Sequence, residues 1–203
     1  MSSVWELGDP VEKRFFSKEC FQGREFVFSI TEEAKVPFLR MKPTIQRDGT
    51  WMILYRKDNH APLVDLWRKE MRYGTLSMAL FLKGTMNVLE ALEMAEDRMI
   101  LPGSFQLDQE TIFVRKDNGR IVFLYIPQGP IWVSMPSGQC VKQLRLMGEV
   151  LDPRLFDRWP LIKEQFLEWE EHPVGRHRCI KIMKQWVKEL PKEGIGRNNF
   201  GLL

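Results

Sequence analysis

Hydrophobic and polar positions divide the chain into two regimes. Residues 24–31, REFVFSIT, alternate Phe26 and Phe28 with Glu25 and Ser29, which predicts a strand. In PTIQRDGTWMILYRKD the pair Asp48-Gly49 stands between TIQ and TWMILY, and Asp-Gly between such runs is a strong hairpin signal. FLRMK, bracketed by Pro37 and Pro43, reads as a short helix or as a further strand. Residues 1–57 therefore form a β-rich part.

From residue 58 the period becomes helical. NHAPLVDLWRKEMRYG offers Asn59 as a cap, Pro62 in the first turn and Gly74 as a stop, with Leu63, Leu66 and Trp67 on one face. In TLSMALFLKGTMNVLEALEMAEDRMI, Leu76, Leu80, Met86, Leu89 and Leu92 keep near-helical spacing, and Leu82 and Val88 widen the stripe. A helix apolar over so much of its circumference is expected at the centre of the fold. Gly84 within it costs about 1 kcal/mol relative to Ala, and close packing against another element is the expected reason.

A hairpin follows at 110–127, where IFV and IVFLYIP flank KDNG, and QGPIWVSMPSGQ then reads as a loop. Three helices complete the pattern. They are CVKQLRLMGEVL, then DPRLFDRWPLIKEQFLEWEEHP with Asp152 as cap and Pro153 at its first position, then VGRHRCIKIMKQWVKELP, stopped by Pro191. Residues 191–203 read as a flexible tail. Strands followed by segregated helices predict an α+β fold, with a helical part at 58–190.

Composition narrows this little. A hydrophobic fraction of 44% with 28% charged residues in 203 allows a sizeable core and excludes wholesale disorder. A net charge of +3 gives no argument for nucleic acid, and no sequence-specific nucleic acid is expected as a partner. Cys20, Cys140 and Cys179 are odd in number and form no CxxC, which predicts a reducing, cytoplasmic compartment. No apolar run reaches the roughly 18 residues a membrane span needs, and the N-terminus lacks the apolar core of a secretory signal.

The order of elements, with the stretches DGTWMILYRKDNHAPLVDLWRKE, LSMALFLKGTMNVLEALEMAEDRMI and LPGSFQLDQETIFVRKDNGRIVFLYIP, resembles the protein-kinase fold over roughly residues 24–130. The resemblance implies a small β-rich N-lobe and a helical C-lobe. More closely, KVPFLRMKPTIQRDGTWMILYRKD and LDQETIFVRKDNGRIVFLYIP resemble an uncharacterised family of bacterial kinase-like domains, often found with a transmembrane segment and a forkhead-associated domain. A related cytoplasmic pseudokinase domain occurs in the EssB/YukC component of type VII secretion. Leu107-Asp108, Ile112-Phe113-Val114 and the ending from Phe123 to Pro127 carry the match. The chain shows neither a transmembrane segment nor a forkhead-associated domain, so it is expected to be a stand-alone member or the soluble part of something longer.

Phosphotransfer in that fold needs an HRD Asp as base, an Asn five residues later and a DFG Asp for the metal. The resemblance places Gln106 at the first position, after Ser104 and Phe105. Thr111 falls at the second, and Leu124 or Tyr125 at the third. Gln106 is no base, Thr111 is a poor metal ligand and Tyr125 carries no carboxylate. Asp108 lies two residues out of register and reads as a turn or cap residue. The first 45 residues hold only Gly8 and Gly23, no Gly-rich loop and no VAIK-like strand, and Lys35 and Lys42 read as surface residues. The expectation is a catalytically inactive module that binds another protein, with no cofactor and no metal.

Two alternatives stay open. One is an enzyme with unrecognised phosphate chemistry built on Asp108 and a nearby Lys. The other is a membrane-surface or polyanion binder that uses the basic last helix: Arg176, Arg178, Lys181, Lys184 and Lys188, with Lys192 and Arg197 beyond. Against the latter, Glu164, Glu168, Glu170 and Glu171 of the preceding helix are expected to pair with those cations. His60, His172 and His177 do not share metal-ligand spacing, and His177 and Cys179 point apart on a helix. Trp132, Trp159, Trp169 and Trp186 are expected in the core, unless exposure marks an interface.

Overall fold

The computed structural model describes residues 11–31, 36–70, 77–130 and 132–190. The strands β1 (Val11–Phe16) and β2 (Met41–Ile45) flank β3 (Trp51–Arg56) in an antiparallel sheet of order β1-β3-β2. The Asp-Gly turn joins β2 to β3. Gly49 takes φ +85°, where a side chain would be strained, and Asp48 accepts the Thr50 N–H at 2.9 Å. Met41 and Lys42 open β2, so FLRMK leads into a strand. The strand β1 has no sequence signal, because half-buried Glu12 and Arg14 face inward as an ion pair that Lys57 joins.

Residues 24–31 correct the sequence reading. They form a short helix, α1 (Phe26–Ile30), and not a strand. Phe26 is exposed, whereas Arg24, Val27 and Thr31 are buried and Phe28 packs on Phe21 and Trp51. Positions 24, 27, 28 and 31 are one helical face. Its two ends are polar, which hides the stripe from a hydrophobicity pattern.

A second sheet, of order β4-β5-β6, is built from β4 (His60–Pro62), β5 (Ile112–Arg115) and β6 (Ile121–Phe123). Residues 37–39 extend it in parallel: Leu39 N–H donates to Phe123 O at 2.9 Å and Phe123 N–H to Pro37 O at 2.8 Å. Asn59 is not a helix cap. It turns the chain with φ +58°, and its carbonyl accepts the Lys116 N–H at 2.8 Å. Pro62 likewise ends β4 rather than entering the helix, a position where an edge strand tolerates a missing N–H.

The helices α2 (Leu63–Glu70) and α3 (Met78–Glu96) follow; Gly74 and Leu76 lie outside the described residues. Leu63, Leu66 and Trp67 are buried together, as are Leu80, Met86, Leu89 and Leu92 of the central α3. Gly84 has the reason expected of it. A Cβ there would stand 2.8 Å from Cζ2 of the fully buried Trp67. Gly84→Ala should therefore lower stability by about 1–2 kcal/mol despite its better helix propensity, because overpacking outweighs that gain. Urea unfolding with an unchanged slope and a lower midpoint would show it; a higher midpoint would refute the contact.

Three helices close the fold: α4 (Ser137–Leu151), α5 (Pro160–Glu171) and α6 (Arg176–Glu189). The expected start of the second at Asp152 is corrected. Asp152 ends α4; its carboxylate accepts the Arg154 N–H at 3.1 Å and pairs with Arg158 at 2.8 Å. An Asp-Pro pair serves a turn as well as a helix start, and the helix begins instead at Pro160. The charge pairing is corrected too. Arg176 and Lys184 of α6 pair with Glu96 and Glu90 of α3, and Glu170 of α5 pairs with Arg145 of α4. The helices α5 and α6 meet through aromatic rings, Trp169 stacking on Trp186 at 5.5 Å. Trp132 alone of the four expected core tryptophans is largely exposed, and Trp159 and Trp186 are half-buried.

Candidate functional site

Gln106, Thr111 and Tyr125 are brought together by a backbone ladder. A 3-10 turn, Pro102–Ser104, ends in an extended segment whose Gln106 N–H donates to Ile126 O at 2.9 Å. Leu124 N–H donates to Thr111 O at 2.8 Å and Gln128 N–H to Ser104 O at 2.9 Å. Residues 104–111 thus run alongside 124–128, and the three positions that the sequence resemblance nominated share one small region.

Their side chains are committed to the loop. Thr111 is fully buried; its hydroxyl accepts the Asp108 N–H at 2.9 Å and donates to Asp108 O at 3.1 Å. Asp108 accepts the N–H groups of Glu110 at 2.8 Å and Thr111 at 3.1 Å through Oδ1. Its Oδ2 accepts the Gln106 side-chain amide. Both carboxylate oxygens of Asp108 therefore hold a turn.

Tyr125 is fully buried. Its ring lies 5.8 Å from Phe38 and Phe105 and 6.3 Å from Phe21, within a run of rings that continues to Phe28, Trp51 and Phe123. Its carbonyl accepts the Tyr55 hydroxyl at 2.7 Å, and burial raises the Tyr55 pKa far above that of an ordinary phenol. The space between the first sheet and the 104–128 ladder is thus filled by aromatic side chains.

Arg24 is the residue that sequence reasoning missed. Buried at the start of α1, it donates to Ser104 O at 2.7 Å and to Gly129 O, with weaker 3.5 Å contacts to the Tyr125 hydroxyl and Gln128 O. One guanidinium ties both strands of the ladder, at one end, to the N-terminal part. A lone Arg before an apolar stretch carries no sequence signal of burial.

The other nominated residues divide. Arg176 leaves the basic surface, since its side chain is turned inward onto Glu96 and Met135 O. Arg178, Lys181, Lys184 and Lys188 are exposed, but Glu90 and Glu93 share the groove that Lys181, Lys184 and Lys188 line. Lys42 is exposed in β2, and Lys35 lies outside the described residues. Burial pushes the thiol of Cys140 up, and that of Cys179 up to about 11, so both are neutral thiols at physiological pH. His60 is pushed below its ordinary value by burial, with Asp58 opposing. Among the described residues no group of His, Cys, Asp and Glu could hold a metal, and no helix is long and apolar enough to cross a membrane.

No protein-family model matches the sequence, and no curated protein matches it. Solved structures do. The chain is similar to a double mutant of the PknI kinase domain of Mycobacterium tuberculosis. That alignment has TM-score 0.53 and 13% identity, over 91% of this chain and 88% of that one. It also aligns with the cytoplasmic fragment of ESSB from Staphylococcus aureus at TM-score 0.46 and 16% identity, over 88% of this chain and 98% of that one. The fold is therefore α+β and kinase-like, as the hairpin and central helix had indicated.

Proposed function

We propose that this chain is a catalytically inactive kinase-like module that acts by binding another protein, in bacterial signalling or in an assembly related to type VII secretion. The observation that carries the reading is the pair Tyr125 and Asp108. The resemblance puts the metal-holding position of a kinase at Leu124 or Tyr125, and Tyr125 is an aromatic ring packed among other rings. The nearest carboxylate is consumed by backbone N–H groups. Phosphotransfer needs a free base, a metal and an open cleft for the nucleotide. What such a fold retains without them is surface, and surface recognises partners. The sequence resemblance to kinase-like domains of bacterial signalling and secretion proteins supplies the setting.

Thermal unfolding with and without millimolar ATP and Mg²⁺ tests this reading. Saturating ligand stabilises by about 2.7 kcal/mol at a hundredfold excess over Kd, so binding would move the midpoint by several degrees. The expected shift is none. A shift of several degrees that is lost in Asp108→Ala would overturn the reading.

A further inference from the structure

A groove of about 390 Å³ is lined by none of Gln106, Thr111 and Tyr125. It is framed by residues 36–40, by the turn between β3 and β4, and by the turn end of the β5–β6 hairpin. Its floor is apolar: Val36, Leu39, Ile121 and Val122 are buried there. Its wall is basic. Arg40, Arg56, Arg115 and Arg120 all line it, against Asp58 as the only carboxylate among the described lining residues.

The arginines form two pairs. Arg56 N–H donates to Arg40 O at 3.0 Å, and Arg115 N–H donates to Arg120 O at 2.8 Å, so each pair is fixed by a backbone bond. The first pair belongs to the β3 side and the second to the second sheet, with His60 opposite Arg115 in the β4–β5 register. In each pair one member is already neutralised: Arg56 by Asp58 at 2.7 Å and Arg115 by Asp117 at 3.1 Å. Arg40 and Arg120 are exposed and have no acidic partner among the described residues.

We propose that this groove is the docking site for an acidic peptide segment of the partner protein, an inference that rests on the partner-binding reading above. Charge complementarity selects the occupant. Two exposed guanidiniums without an acidic partner among the described residues, Arg40 and Arg120, borne by separate elements that share an apolar floor, match side-chain carboxylates flanking an apolar residue on an extended peptide. A lone phosphate would want donors converging on one point, such as a helix N-terminus or a nest of N–H groups; the arginines here come in two separate pairs. The volume lies within the range of pockets that bury small groups of atoms, enough for a few side chains.

The test uses the whole protein and three fluorescein-labelled peptides of one length. One alternates Glu and Leu, the second has Gln for every Glu, and the third has phosphoserine for every Glu. Fluorescence anisotropy should show saturable binding of the Glu peptide, weakened by salt, and at least about tenfold weaker binding of the Gln peptide. Arg40→Glu and Arg120→Glu, both on exposed side chains, should each weaken the Glu peptide at least about tenfold while circular dichroism stays unchanged. Lys181→Glu with Lys188→Glu on α6 should leave it intact. Equal binding of the Gln peptide, binding of the phosphoserine peptide alone, or insensitivity to Arg40 and Arg120 would overturn the proposal. Such results would leave the inactive-module reading standing, because that reading fails on nucleotide binding and this one on peptide binding.

Discussion

Tyr125→Asp is expected to destabilise the fold by at least about 4 kcal/mol and to create no metal site. The substitution supplies the residue type that a kinase uses at the end of this hairpin. It does so inside a packed ring cluster, where Tyr125 is fully buried between Phe38 and Phe105. Two costs add. Truncating a buried aromatic side chain in such a core costs about 3–5 kcal/mol, and the new carboxylate must be desolvated without a compensating cation, or stay protonated. Arg24 is the nearest guanidinium, but its nitrogens are spent on Ser104 and Gly129 carbonyls. For a domain whose total stability is about 5–15 kcal/mol, the variant should be largely unfolded or near its threshold. Tyr125→Phe is the control. It keeps the ring and gives up one 3.5 Å contact with Arg24, so it should cost less than about 1 kcal/mol. Equal losses in urea unfolding would mean that the hydroxyl, and not the packed ring, holds the site.

The second large effect belongs to Arg24. Arg24→Met keeps an unbranched side chain of similar reach and removes the charge-assisted bonds to Ser104 and Gly129 carbonyls. The buried Ser104 loses a partner, although its carbonyl still accepts the Gln128 N–H at 2.9 Å. The Gly129 carbonyl can turn to water, since Gly129 is exposed. The net cost should be about 2 kcal/mol. Arg24→Lys should recover only part of it, because a single ammonium cannot reproduce a planar fork reaching two carbonyls. Native-state hydrogen exchange gives a sharper readout than global stability. The Gln128 amide should exchange faster in Arg24→Met, while amides of the central α3 follow only the global change. An unchanged Gln128 amide would show that the ladder does not depend on the clamp.

How much of this could be read from the chain alone depends on where each signal lives. The Asp48-Gly49 hairpin, α3 and the β5–β6 hairpin were legible because their cause is local: a turn that needs φ > 0 at Gly49, or an apolar stripe that repeats within a few residues. Gly84 was legible as a packing residue because its propensity cost demanded a reason, and Trp67 is that reason. Residues 24–31 misled because the buried face ends in Arg24 and Thr31, so the helix looked like an alternation of Phe26 and Phe28. The strand β4 was hidden for another reason: His60, Ala61 and Pro62 are held by β5, some 50 residues away in the chain. Asp152 misled because one carboxylate chemistry serves two backbone geometries.

The candidate site shows the same division. The residue types Gln106, Thr111 and Tyr125 were visible as the wrong chemistry, and their placement follows from a ladder that the hairpin dictates. The roles of Arg24, of both Asp108 oxygens and of the inward-turned Arg176 were not visible. They arise from partners 41 to 105 positions away in the chain for Arg24 and Arg176, or from a turn whose geometry no spacing rule specifies for Asp108. The arginine groove combines residues from β3, the 36–40 segment and the second hairpin, so only the assembled fold reveals it.

The most direct test of an inactive module is a phosphotransfer assay with radiolabelled ATP, Mg²⁺ or Mn²⁺, the protein itself and a generic protein substrate. Wild type and Asp108→Asn are compared, because asparagine keeps an oxygen for the Glu110 and Thr111 N–H groups and so preserves the turn. The account predicts incorporation no greater than in a heat-denatured control, and the same for both proteins. Time-dependent incorporation by the wild type that Asp108→Asn abolishes would contradict it.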